Sequence, residues 1–221
     1  MGQMVARLAR DAGDQVGAII TSENSGDVSE LAQRLTAHQV AIDFSAANAV
    51  LKHVEACARA GVPLVEGTTG WQAHEDEARR LVTEHQGALV FGANFSIGVN
   101  VFYRIVAHAA SLFANIEGYD PFIEEAHHKR KRDAPSGTAL HLRELLARAM
   151  AGREIPVSST RAGSIPGTHR VGFDSAVDQI TLTHTARSRE GFAAGALLAA
   201  RWIAGRKGTY EFGAVIDDIL K

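Results

Sequence analysis

Residues 124–140, EEAHHKRKRDAPSGTAL, set two adjacent histidines and four consecutive basic residues shortly before Pro-Ser-Gly-Thr. Imidazole exchanges its proton near neutral pH, so His127 and His128 are candidate proton donors. A basic run this dense is a solvated surface, a nucleic-acid patch or the wall of an anion pocket. The residues just after it narrow the choice. Asp133 and Pro135 break the chain, and Ser136, Gly137 and Thr138 open a helix whose free amides and dipole favour an anion. His127, His128, Lys129, Lys131 and that helix start therefore suit a small dicarboxylate, whereas Arg130 and Arg132 read as solvated charges. A nucleic-acid groove usually adds exposed aromatic side chains, and this loop has none. No metal site is expected: adjacent histidines point to opposite sides of an extended chain, and no acidic partner has ligand spacing.

Composition confines that charge to one place. The chain has 221 residues, 46% of them apolar and 22% charged, with a formal net charge of −2. That balance argues against a protein built to coat nucleic acid or an anionic membrane, so any anion site is local. Cys57 is the only cysteine. It shares a helical face with Val50, Val54 and Ala58 and reads as a small buried hydrophobe, which excludes a disulfide framework. No apolar stretch approaches the ~18 residues a bilayer span requires, and the first ten residues are too short in their apolar part for a signal peptide. The expectation is a cytoplasmic protein.

Several elements must hold the basic loop and whatever reacts beside it. Short β-rich runs at 15–20, 39–44, 62–67 and 88–92 alternate with helical patterns at 28–35, 46–60 and 73–85. Strands apolar on both faces, alternating with helices, imply a doubly wound parallel sheet. Such a sheet binds ligands beyond the carboxyl ends of its strands. There lie IDFS (42–45), EGTTG (66–70) and FGANFS (91–96). Three small polar loops at successive strand ends predict a dinucleotide site. The second half reads as helix (97–113), strand (120–128), helix (138–150), half-exposed antiparallel strand (176–186) and a helix rich in small residues (191–206). The predicted fold class is α/β, an N-terminal Rossmann-like domain followed by an α+β substrate and oligomerisation domain. The expected boundaries are 1–96, 97–192, and a C-terminal segment, 193–221, packing back on the first domain.

The run EAHHKRKRDAPSGTA resembles the signature of the dihydrodipicolinate reductase family. IDFS, EGTTG, GANFSIGVN, TRAG (160–163) and LTHTA (182–186) are similar to further family segments in the same order. The resemblance implies reduction of a cyclic α,β-unsaturated imine by NADPH or NADH, giving tetrahydrodipicolinate in the synthesis of diaminopimelate and lysine. It makes His127 the general acid and Lys131 a second proton-transfer and electrostatic group. It places His128, Ser136, Gly137 and Thr138 on the substrate carboxylates. Gly67, Thr68, Thr69, Gly92, Ala93, Asn94 and Phe95, with Phe44, would hold the nicotinamide half of the cofactor. It also implies a homotetramer.

Two departures stand out. The family begins with a strand and a glycine-rich turn ending in Met-Gly, and here Met1-Gly2 resembles only the end of it, which points to a clipped start and leaves Gly2 as the remnant of a phosphate loop. Where an acidic or basic residue often selects the cofactor, Thr21 and Ser22 stand here. Two rival readings remain open: a different nicotinamide-dependent reductase of a small anionic imine or carbonyl, and a non-catalytic module for an anion or nucleic acid on a degraded Rossmann scaffold.

Overall fold

The computed structural model describes residues 1–221. In chain order the elements begin with α1 (Gly2–Asp11), α2 (Val28–Leu35), β1 (Ala41–Asp43), α3 (Val50–Ala60), β2 (Leu64–Glu66), α4 (Glu75–Glu84) and β3 (Ala88–Phe91). They continue with α5 (Ile97–Phe113), β4 (Asp120–His127), α6 (Gly137–Ala149), β5 (Val157–Arg161), β6 (Thr168–Asp174) and β7 (Gln179–Thr185). Last come α7 (Glu190–Ile203), β8 (Gly208–Glu211) and α8 (Phe212–Ile219). The chain divides into two compact units, Met1–Ile97 with Glu190–Lys221, and Gly98–Arg189. No helix is long and apolar enough to cross a membrane.

In the first unit a parallel sheet runs β1-β2-β3-β8. Successive strand residues face opposite ways. Leu64, Leu89 and Phe91 meet Leu31, Val54, Leu81 and Val82 of the first helices, while Val65 and Val90 meet Ala196, Ala199, Ile203 and Val215 of α7 and α8. Each face thus buries its own apolar set, which is why the strands read as continuous hydrophobic runs. Asp27 caps α2 in a capping box with Glu30, and α3 stops at Gly61, where φ is +68°.

In the second unit the order is β5-β4-β6-β7, with β4–β5 parallel and the other pairs antiparallel. One face carries Ile123, Val171 and Phe173 against Phe102 and Val106 of α5 and Leu142 and Leu146 of α6. Phe113 and Phe173 stack at 4.4 Å between ring centroids.

Several elements differ from the sequence-based expectation. Residues 15–20 form no strand: β1 is the sheet edge, and an apolar run without a ladder partner stays irregular. The segment is held instead by His38, whose Nε2 accepts from the Ala18 amide at 3.0 Å. Conversely β5, β6 and β8 are strands that carry no period-2 apolar signal strong enough to read, and α1 is a helix that the pattern did not bring out. Their partners in the sheets make the strands.

The parallel register sets Asp43 beside Glu66, both on the α3 side of the sheet. His53 of α3 meets Asp43, Nδ1 to Oδ2 at 2.6 Å. Glu66 is fully buried and its Oε1 accepts from the Thr68 amide at 2.7 Å. Burial, then the Asp43 charge, push the Glu66 carboxyl up to about 8. Burial works against Asp43 too, but the hydrogen bond and charge of His53 outweigh it and hold Asp43 below its ordinary value. Near neutral pH the pair therefore shares one proton, carried by Glu66.

This packing can be tested at two positions. A Cβ at Gly195 of α7 would lie 1.7 Å from the Phe95 carbonyl oxygen, so Gly195→Ala must shift the helix or the 92–96 loop. Urea unfolding should show a loss of about 1–3 kcal/mol. Because Glu66 has a raised folded value, its stabilising contribution is complete below 4.5 and is lost as pH rises toward about 8. Glu66→Gln, which mimics the protonated acid, should unfold like the parent near pH 5 and at a higher temperature above pH 8. Equal midpoints at both pH values would show that Glu66 is ionised in the folded protein.

Candidate active site

Strand register gathers the reactive groups of the second unit. Glu125 and His127 are two apart on β4 and share its core-facing side, continuing the row of Pro121 and Ile123. Arg161 of β5 pairs with His127, and His169 of β6 pairs with Glu125. Glu125 Oε2 is hydrogen-bonded to His127 Nδ1, and Glu125 Oε1 accepts from Arg161 Nη2 at 2.7 Å. The rings of His127 and His169 meet edge to face at 5.1 Å. His169 Nε2 lies 3.1 Å from Ser136 Oγ, which accepts from the Ala139 amide and caps α6.

The electrostatics differ sharply within this group. Burial acts to raise the Glu125 carboxyl, but hydrogen bonds from Arg161, Ser159 and His127 outweigh it and hold the group at about 2. Glu125 is thus a permanent carboxylate. Burial lowers His127 against the pull of Glu125, with Lys131 and Arg161 adding to the lowering. His169 goes down to about 4, from burial first and His127 next, and stays neutral. Glu125, His127 and His169 each offer a donor atom within 4.8 Å of the others. Arg161 already holds the carboxylate, so a metal cation would enter beside a guanidinium; the trio fits proton transfer better.

The other expected residues cluster with these. Lys131 leaves the turn after β4, its amide donating to the His128 carbonyl at 3.0 Å and its Nζ pairing with Asp133 at 2.8 Å. Gly137 is exposed and Thr138 half-buried at the start of α6. His128 Nδ1, Arg161 Nε and His169 Nδ1 are buried with no protein partner, leaving polar capacity unused at this end of the sheet.

In the first unit, a cleft of about 310 Å³ is lined by Met1, Phe44, Ser45, Ala46, Ala47, Gly67, Thr68 and Thr69. The Ser45 amide donates to Thr68 Oγ1 at 3.0 Å, tying the two loops together. A Cβ at Gly67 would fall 2.1 Å from the Phe44 ring, so only glycine lets this loop run along it. The start of α1, at Gly2, adjoins Met1. A polar, backbone-lined cleft at strand ends beside a helix start fits part of a dinucleotide. Thr21 and Ser22 sit apart from this lining on an exposed turn, where the Thr21 amide donates to Asn24 Oδ1 at 2.7 Å. Gly92, Ala93, Asn94 and Phe95 form the loop after β3. The Phe95 side chain is core, packed on Phe212 at 4.5 Å, so only its backbone can face a ligand.

Residue-by-residue reading of the sequence missed Glu125, Arg161, His169, Asp43, His53 and Glu66. The Glu-x-His spacing within a strand was a usable signal, because residues two apart share a face. His169 carried none and Arg161 only its place in TRAG (160–163), since strand pairing is what brings them to β4.

The chain matches the model of dihydrodipicolinate reductase, N-terminus, over residues 1–95 and that of dihydrodipicolinate reductase, C-terminus, over residues 98–216. It is 37% identical over 237 residues to a 4-hydroxy-tetrahydrodipicolinate reductase of Methanosarcina barkeri, covering 98% of the chain and 86% of that protein. It is 39% identical over 214 residues to one from Anaeromyxobacter dehalogenans, covering 86% and 76%. In structure it is similar to a dipicolinate-bound dihydrodipicolinate reductase from Paenisporosarcina sp. TG-14, with a TM-score of 0.79, 20% identity, and 95% and 92% of the two chains covered. Two models that together span nearly the whole sequence, with relatives matched along most of their own length, give one answer: this chain belongs to the dihydrodipicolinate reductase family.

Proposed function

We propose that the protein is a 4-hydroxy-tetrahydrodipicolinate reductase whose acid is His127. The observation that carries this reading is a buried histidine bonded to a permanent carboxylate, beside Lys131 and the capped N-terminus of α6. A reduced nicotinamide would supply the hydride, held by the 67–69 and 92–95 loops with Phe44 and the start of α1 at Gly2. Thr21 and Ser22 carry hydroxyls that suit a ribose diol or a 2′-phosphate, and the hydride donor is NADPH or NADH. His128, Ser136, Gly137 and Thr138 bind the carboxylates of a small dicarboxylate. Ser136 does so through the helix start it caps, since its own oxygen is occupied. As negative charge builds on the ring carbon next to the one reduced, His127 delivers a proton there and Lys131 stabilises the charge. Membership of this family does not favour a nucleic-acid-binding module. We further propose that the protein works in the cytoplasm as a homotetramer. Val177, 87% exposed in the turn before the edge strand β7, and Ile180, 47% exposed on it, offer apolar surface for self-association.

Loss of reduced-nicotinamide absorbance with freshly generated substrate tests the reading. Turnover is expected with NADPH or NADH, and His127→Gln should lower kcat by roughly 10²–10⁴-fold while dicarboxylate binding persists. A folded chain silent with both cofactors, or an undiminished His127→Gln variant, would overturn it.

A further inference from the structure

Glu125 has no part in holding substrate or cofactor, yet it is among the most completely enclosed charges in the protein, its side chain 0% exposed. Its Oε1 takes Arg161 and its Oε2 takes His127 Nδ1, with Ser159 adding a further hydrogen bond. An ionised carboxylate only accepts hydrogen bonds, so the nitrogen facing it must carry a hydrogen in every protonation state of the ring. His127 Nε2 points toward Gly167 instead. A Cβ at Gly167 would approach Nε2 to 3.1 Å, and φ there is +149°, a conformation that favours glycine. A bare backbone at Gly167 thus leaves room beside one nitrogen while a carboxylate occupies the other.

We propose that Glu125, held by Arg161, is the positioning residue of this site: it fixes the Nδ1–H form of His127 and leaves Nε2 as the atom that gives up its proton. This deepens the role of His127 given above and rests on that reading. The proton balance is simple. The imidazolium donates its Nε2 proton to the substrate carbon and becomes the neutral Nδ1–H form, which stays bonded to Glu125. A proton from water then restores the cation. Arg161 has a second effect, because a guanidinium that draws on the Glu125 carboxylate weakens its hold on the imidazolium. The other groups facing His127 are Lys131, with Asp133 paired to it, and neutral His169 on β6, with His184 on β7 beyond.

The acid must be protonated to work, so activity falls as pH rises through the His127 transition. Glu125→Gln removes the stabilising charge and should move the basic limb of the kcat profile down by about one pH unit or more. Its kcat should fall roughly 10–10²-fold, with KM changed far less. Arg161→Gln removes a nearby cation and should move the same limb upward, and Glu125→Asp should recover part of the loss in the Glu125→Gln protein. A purely structural role would not shift the limb in opposite directions. Long-range ¹H–¹⁵N spectra of the unmodified protein read the tautomer directly and need neither turnover nor a variant. Hydrogen on Nδ1 of neutral His127 is the expected result. Hydrogen on Nε2, or limbs that coincide in folded Glu125→Gln and Arg161→Gln proteins, would overturn the proposal. A chain with no reductase activity but the expected tautomer would count against the proposed reaction and leave the dyad standing.

Discussion

A carboxylate removed from water must be given a counter-charge, and the pairing of Arg161 with Glu125 meets that need at the end of the second unit's core. Removing either partner would leave a buried charge without its counter-charge, a far larger cost than the pair itself contributes. The consequence is positional. Glu125 cannot swing away, so His127 cannot rotate, and β5 must lie parallel to β4 in the one register that sets Arg161 opposite His127. An ion pair that adds little stability thereby fixes a strand, a ring and a tautomer.

The first unit solves the same problem differently. Glu66 has no cation and takes a proton instead, with Asp43 keeping the charge beside His53. Both solutions obey one rule, that the cheapest buried form of an acid is the one its neighbours can satisfy. The outcomes differ because their surroundings do. Glu66 holds the amide of Thr68, which in turn holds the Ser45 amide, so a protonated acid sets the shape of the cleft. Glu125 holds an imidazole and must stay charged to do so.

Much of the fold was legible from residue pattern. The helix over 97–113 and the strand starting at Asp120 stand where periodicity put them, because each buries one continuous apolar face. Residues 15–20 misled for a physical reason: an apolar run specifies burial, and only a neighbouring strand makes it a ladder. β8 and β5 were hidden by the reverse effect, since Gly-Thr-Tyr-Glu and Val-Ser-Ser-Thr-Arg become strands through partners remote in sequence. The same holds at the site. The His-His-Lys run and the Ser136 cap are local and were readable, whereas Arg161 and His169 reach His127 only through pairing across three strands.

The return of the chain to its first unit has a consequence for how the protein is made. β8 completes the parallel sheet beside β3, and α7 and α8 cover one face of it, yet all three follow the inserted second unit in the chain. Val65 and Val90 stay uncovered until then. The inserted unit, Gly98–Arg189, has its own core and all four of its strands well before that point. Synthesis from the N-terminus therefore delivers the second unit complete while the first still waits with an open sheet, and a nascent chain stalled after β7 would carry a finished Glu125–His127–Arg161 cluster beside a parallel sheet with one face still bare.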